Sequence, residues 1–259
     1  IDYFEMPHGT TGIILAFVLI FFAFIGFEDM ANVAEEVKRP KKTIPRAIIL
    51  SVIITGILYI LVSLSVVRVI NWEELGQSAA PLAAIAERSL GIQGSIALSA
   101  IALFATASTV LITLVAGSRI LYGMAHNKSL PLSLGKIHSK TKTPWIAVIG
   151  ILITSIAFTL IGDIVIVANI TVFAVVITFA MINLSVIVLR YTEPNLERSF
   201  RVPVNIGRFP LLPLFGFGVT IYMAIQFEME VMLVGFAIMA AGALFYVIFN
   251  RKQNDAKLN

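Results

Sequence analysis

The sequence predicts an all-α membrane protein of seven transmembrane helices, and three observations carry that expectation. The first is composition. Of the 259 residues 58% are hydrophobic and 13% charged, against about a quarter charged in soluble domains, and mean hydropathy is +0.94. The second is segmentation: seven stretches approach the ~20 apolar residues of a spanning helix, at 12–38, 45–70, 95–122, 145–161, 164–189, 211–227 and 231–249. A barrel would show alternating strands of about ten residues, and no such alternation occurs. The third is where the charges fall. Seventeen of the nineteen lysines and arginines lie in 38–46, 119–142, 190–208 and the tail 251–257. The remaining loops hold only Arg68 and Arg88, against Asp2, Glu5, Glu73, Glu74, Glu87, Asp163, Glu228 and Glu230. Basic loops stay cytoplasmic, so seven crossings run from an outside N-terminus to a cytoplasmic C-terminus. The net charge of +4 is an orientation signal rather than a nucleic-acid footprint.

The first span reads FFAFIGFEDMANVAEE over 21–36 and places Glu28 and Asp29 inside an apolar stretch. A charge at the bilayer centre costs at least about 2.5–3.5 kcal/mol and is seldom kept without a function. Gly26 stands two positions earlier, where glycine costs a helix ~1 kcal/mol relative to alanine, and two adjacent carboxylates cannot both face one protein wall. A discontinuous first helix answers both problems. The half ending near Ile25 would offer carbonyls to a cation, and the half starting near Met30 would offer amide N–H groups to an anion. On a continuous helix Phe21, Phe24 or Ile25, Glu28, Asn32 and Glu35 share one stripe, which would line a cavity. The competing reading is that 12–27 spans alone, about 24 Å at 1.5 Å per residue, leaving Glu28 at the interface.

Between the second and third spans, PLAAIAERSLG at 81–91 puts Leu82, Ile85 and Leu90 near helical spacing, as in a short surface helix. The third span ends in FATASTVLITLVAGSRILYGMA, 104–125. Its Thr106, Ser108, Thr109 and Thr113 could coordinate Na⁺ or a substrate, or could serve as packing residues beside Ala102, Ala105 and Ala116. Arg119 closes the segment either as a gate or as a snorkelling anchor. Loop 127–144, with Pro131, Pro144 and four lysines, reads as irregular and solvated. Only Gly162 and Asp163 separate the fourth and fifth spans, which predicts a tight helical hairpin. Asn169, Thr171, Thr178 and Asn183 in the fifth span read as core hydrogen-bonding groups facing other helices. Four prolines in 192–213 break the chain, and the two short spans beyond look peripheral.

Several classes drop out. Cysteine is absent, so there are no disulfides or thiolate metal sites. His8, His126 and His138 sit in loops on two sides, and no HExxH, GxSxG or GxxxxGK[ST] motif occurs, so neither an enzyme nor an ATP-driven machine is expected. The segment 1–9 has no basic n-region or cleavage site. An outside start, an odd number of spans and a first residue other than Met lead to the expectation of a fragment.

FFAFIGFEDMANVAEEVKRPKKTIPRAI (21–48) resembles the sixth helix and succeeding cytoplasmic loop of amino acid permeases of the amino acid/polyamine/organocation superfamily. GSRILYGMAHNKSLP (117–131) with KIHSKTKTPWIAV (136–148) is similar to the end of their eighth helix and the loop into the ninth. NLSVIVLRYTEPNLERSFRVP (183–203) is similar to the end of their tenth helix and the segment after it. The resemblance covers essentially the whole chain. It implies a C-terminal portion, family helices six to twelve: the second half of a five-plus-five inverted repeat at 10–191, a cytoplasmic loop at 192–210, two peripheral helices at 211–250 and a cytoplasmic tail at 251–259, all in one membrane domain. It further implies backbone carbonyls near Phe22 and Ile25 for an α-amino group, Phe22 as an aromatic gate, and Glu28 as a proton- or gate-linked acid. Thr106, Ser108 and Thr109 are the nearest candidates for a Na⁺ ion.

The expectation is therefore secondary active transport of an amino acid by alternating access, with no cofactor and with coupling to H⁺ or Na⁺. Substrate-binding candidates are Phe22, Phe24, Ile25, Gly26 and Glu28; gating candidates are Asp29, Glu35, Glu36, Arg46 and Arg119; no metal or catalytic residue is expected. The partners are the substrate, the bilayer and the missing five N-terminal helices, without nucleic acid. A cation-channel subunit and a non-transporting, helix-packing remnant are the alternatives.

Overall fold

The computed structural model describes Met6 and residues 9–78, 80–198 and 200–258. Asp2, Glu5 and His8 of the charge and histidine arguments lie outside the described residues. Among the described residues ten α-helices run in order: α1 Gly9–Phe24, α2 Asp29–Asn32, α3 Pro40–Val69, α4 Trp72–Gln77, α5 Pro81–Leu90, α6 Ile92–His126, α7 Trp145–Thr159, α8 Ile164–Thr192, α9 Leu211–Ala224 and α10 Met229–Leu258. Single 3₁₀ turns cover Ala34–Glu36 and Leu132–Gly135, and two two-residue strands, Asn205–Ile206 and Phe209–Pro210, form a small hairpin.

Four of these helices are long and apolar enough to cross a membrane: Pro40–Val69, Ile92–His126, Ile164–Thr192 and the Met229–Phe249 part of α10. Helices α7 and α9 are apolar but have 15 and 14 residues, roughly 21–23 Å, short of a hydrocarbon core of about 30 Å. The expected first span is divided between α1, α2 and a 3₁₀ turn. Membrane length is thus met by four described helices rather than seven.

Two boundaries move. Residues 40–46, expected in the basic loop 38–46, form the first turns of α3, with Pro40 in the opening turn, where a missing N–H costs nothing. The segment at 81–91 is helical as α5, and Gly91 at φ +75° separates it from α6. A Cβ on Gly94 would stand 2.6 Å from Leu90 Cβ and 2.9 Å from the Ala86 carbonyl, so this glycine lets α6 turn closely against α5. An Arg88–Glu74 ion pair ties α5 to α4.

The best packed region joins α8, α9 and α10. Ile170, Val172, Phe173 and Val176 of α8 are buried with Met223, Ala224, Phe227 and Val231. Phe173 stands edge-on to Phe227 at 5.5 Å and to Phe236 at 5.3 Å, geometry that aromatic quadrupoles favour. Met223 and Ala224 of α9, Phe227 of the link and Val231 of α10 supply half of these buried residues. Asn183 lies against Gly216 of α9 and donates to the Phe179 carbonyl at 2.9 Å, while Thr171 and Thr178 are bonded to their own helix.

The fourth and fifth spans do not form a tight hairpin. Their connection at 160–163 is short, and Asp163 caps α8 by accepting from Val165 N at 2.8 Å and Ile166 N at 3.2 Å. Helix α7 nevertheless packs on α6, and a cleft of about 520 Å³ opens toward α8, lined by Thr154, Phe158, Val167 and Thr171 among others. The threonine hydroxyls facing it are bonded within their own helices, and Phe158 packs against the core at α8.

Gly235 of α10 tests the core. A Cβ there would fall 2.3 Å from Phe173 Cδ1, and Phe173 is held by two aromatic neighbours. Overpacking of this kind costs about 1–3 kcal/mol. Gly235→Ala should lower the thermal unfolding midpoint in detergent by several degrees; an unchanged midpoint would show that α10 does not approach α8 this closely.

Candidate functional site

The site is built from the interruption of the first helix. Gly26 adopts φ +121°, a conformation that residues with a Cβ rarely reach, and residues 25–28 leave helical geometry between α1 and α2. Ending α1 strands the carbonyls of its last turn. Phe22 O accepts from Ile25 N at 3.2 Å, and Ala23 O accepts from the Tyr59 hydroxyl of α3 at 2.8 Å. Among the described residues the Phe24 carbonyl receives no donor. The far side is secured locally: Glu28 Oε2 accepts from Gly26 N at 2.9 Å, and Asp29 Oδ1 accepts from Asn32 Nδ2 at 3.2 Å. A carboxylate on a backbone N–H is a charge-assisted bond, stronger than a neutral one. Glu28 thus stabilises the interruption it belongs to.

A pocket of about 270 Å³ lies beside the interruption. Phe24, Ile25 and Gly26 line it from the first helix, together with Ala23, Phe27 and Met30. The opposite wall is α3, through Ser51, Val52, Thr55 and Tyr59. The Phe24 ring stands edge-on to Tyr59 at 5.2 Å.

The structure places the sequence candidates unevenly. Phe24, Ile25 and Gly26 meet in the pocket; Glu28 is half-buried behind it. Phe22, expected as an aromatic gate, is 45% exposed and does not line it. Phe21 and Phe27 lean on Phe179 of α8, with ring centres 6.1 and 5.8 Å apart. The expected continuous stripe from Phe21 to Glu35 is therefore split, because Gly26 changes the direction of the chain in its middle, and Glu35 is exposed. The second half-helix is a single α-turn succeeded by a 3₁₀ turn, with little aligned dipole to offer an anion.

Among the gating candidates, Glu36 and Arg119 are brought together. Arg119 Nη2 donates to Glu36 Oε1 at 2.5 Å, tying the segment after the interruption to the C-terminal part of α6. Arg46 lies on α3 and joins neither ion pair of the described residues. Thr106, Ser108 and Thr109 are exposed and do not reach the pocket. Thr106 and Thr109 donate to the carbonyls of Ala102 and Ala105, at 2.9 and 3.0 Å. Among the described residues no group of three or more His, Asp or Glu could hold a metal ion.

Sequence reasoning missed the α3 wall. Its signal was available: Ser51, Thr55 and Tyr59 repeat every four residues, one face of a helix, inside an apolar span.

A family model described as amino acid permease matches residues 4–254. The methylthioribose transporter of Bacillus subtilis (strain 168) is 30% identical over 257 residues, 96% of this chain and 53% of that protein. The branched-chain amino acid permease BcaP of the same organism is 30% identical over 260 residues, 98% of this chain and 53% of that protein. The vacuolar cationic amino acid transporter 4 of Arabidopsis thaliana is 28% identical over 189 residues, 73% of this chain and 31% of that protein. The chain spans about half the length of the two bacterial relatives.

Proposed function

Because the chain belongs to the amino acid permease family, we propose that it forms part of a secondary active transporter that moves an amino acid by alternating access, with the pocket at residues 25–28 as ligand site. The family is one of transporters rather than enzymes, and the chain is a multi-pass membrane protein. The observation that carries the reading is the interruption itself: an apolar helix stopped before Gly26, with an undonated carbonyl at its end and a pocket beside it. Interrupted helices place backbone polar groups where substrates and ions bind.

In this account the carbonyl end of α1 receives the ammonium group, and coupling to H⁺ or Na⁺ drives uptake. The Glu36–Arg119 pair acts as a gate. Exposed ion pairs contribute ~1 kcal/mol or less, which suits a contact that must open in every cycle. The site is completed by a partner half of about the same size, as the relatives' lengths favour. The basic segments 38–46, 127–142 and 190–208 face the cytoplasm. A single cysteine placed in 127–142 should resist an impermeant thiol reagent added outside intact cells; labelling from outside would reverse the orientation.

One relative's name offers a second substrate, methylthioribose. Uptake of L-leucine, L-arginine and methylthioribose by the transport-competent assembly separates the readings. Glu28→Gln keeps the side chain's shape and weakens its hold on Gly26 N. It should lower amino acid uptake about tenfold with expression unchanged. Unchanged uptake would leave Glu28 with a structural role only, and uptake confined to methylthioribose would replace the amino acid reading.

A further inference from the structure

Beyond the gating candidate Arg46 in its first turns, helix α3 enters none of the roles assigned above, yet it forms a whole side of the pocket. Three of its residues face the interruption at four-residue intervals, and their hydroxyls are in different states. Ser51 Oγ is committed to the Ile48 carbonyl at 2.8 Å. Tyr59 Oη is committed to the Ala23 carbonyl at 2.8 Å. Thr55 differs from seven threonines of α6, α7 and α8. Thr106, Thr109, Thr113, Thr154, Thr159, Thr171 and Thr178 all donate to the carbonyl four residues earlier. Among the described residues the Thr55 hydroxyl makes no hydrogen bond, although it is half-buried and lines the pocket.

Tyr59 decides which carbonyls at the end of α1 remain open. By taking Ala23 O and standing edge-on to Phe24, it pins the helix end to α3, while Phe24 O, the next carbonyl, has no donor among the described residues. Gly56, three residues before Tyr59, faces the same ring: a Cβ there would make ordinary van der Waals contact with Phe24, at 3.8 Å. The open Phe24 carbonyl is an acceptor at the negative end of a helix dipole, which favours a cationic group, and the Thr55 hydroxyl, both donor and acceptor, can accept beside it. The surrounding Ile25, Phe27, Met30 and Val52 are apolar.

We infer that α3 is the second wall of the ligand site: Thr55 Oγ1 accepts a hydrogen bond from the substrate's ammonium group, and Tyr59 is a positioning residue that fixes the carbonyl end of α1 for the same group. This rests on the reading that the interruption binds the ligand. It adds two residues of α3 to which no role has been assigned.

Uptake kinetics of the transport-competent assembly test it, with L-leucine and L-arginine as probes. Thr55→Val keeps the shape and removes the hydroxyl; KM should rise about tenfold with Vmax within about twofold, and Thr55→Ser should restore KM to within about threefold. Tyr59→Phe keeps the ring on Phe24 and frees Ala23 O; KM should rise at least threefold with expression unchanged. Thr178→Val makes the same chemical change on α8, away from the pocket, and should leave KM within twofold. Parental KM in both α3 variants, with Gly26→Ala and Glu28→Gln impaired, would overturn the α3 assignment and leave the site standing. A Thr55→Val defect that tracks protein abundance and is not rescued by Thr55→Ser would also overturn it. If all four variants behave as the parent, or the parent takes up neither probe, the inference and the site reading fall together.

Discussion

Gly26→Ala is expected to reduce uptake by about one to two orders of magnitude without a matching loss of protein. A Cβ at Gly26 meets nothing within 4 Å, so packing is unaffected. The cost comes from the backbone, since φ is +121° and a residue with a Cβ held in such a region costs roughly 1–3 kcal/mol. That strain shifts the population away from the interrupted conformation by roughly 5- to 150-fold. The chain would straighten through residues 25–28, withdrawing the Phe24 carbonyl and breaking the Gly26–Glu28 bond. Gly218→Ala is the matched control: its Cβ also meets nothing within 4 Å, and its φ is not positive, so uptake should stay at the parental level. Equal uptake in the two variants would show that transport does not depend on the interruption.

The 259-residue chain reconstituted alone in liposomes is expected to show no saturable uptake of L-leucine, L-arginine or methylthioribose. Alternating access needs two halves moving against each other around a central site. Here the apolar windows of α3 and α6 contain no buried residue, so that surface has to be covered by lipid or by another protein. The pocket has walls from the first helix and α3 only. Co-expression with the N-terminal half of a relative should raise both stability and uptake. Saturable uptake by the chain alone would mean that copies of it assemble a complete site.

Much of the architecture was legible because membrane helices announce themselves by length and apolarity, and the interruption was legible because Gly26, Glu28 and Asp29 violate that pattern together. The short surface helix at 81–91 was legible from its spacing and from Pro81 and Gly91. Side-chain placement was less legible. Phe22 and Phe24 differ by two positions in one aromatic run, which puts them on opposite faces of α1, and only the packing of α1 on α3 decides that Phe24 faces α3 while Phe22 faces outward. The hydroxyls of Thr106 and Thr109 look like ligands in a sequence but bond back to their own helix. Thr55 looks equally ordinary and does not. The divergence of α7 from α8 was hidden because a short linker fixes how near two helix ends lie, and leaves open what each helix packs on. The core of α8, α9 and α10 depends on contacts between distant segments, and Gly235 against Phe173 has no local signature.

Binding of the ligand at residues 25–28 can be measured directly, because the chain contains no cysteine. A single cysteine at Ile25, in the transport-competent assembly, is treated with a small thiol reagent with and without saturating L-leucine or L-arginine, beside a control cysteine at the exposed Gln77 of α4. A transported amino acid is expected to slow labelling at position 25 by about fivefold or more and to leave position 77 unchanged. Labelling at position 25 that proceeds at the same rate with saturating transported substrate would contradict binding there.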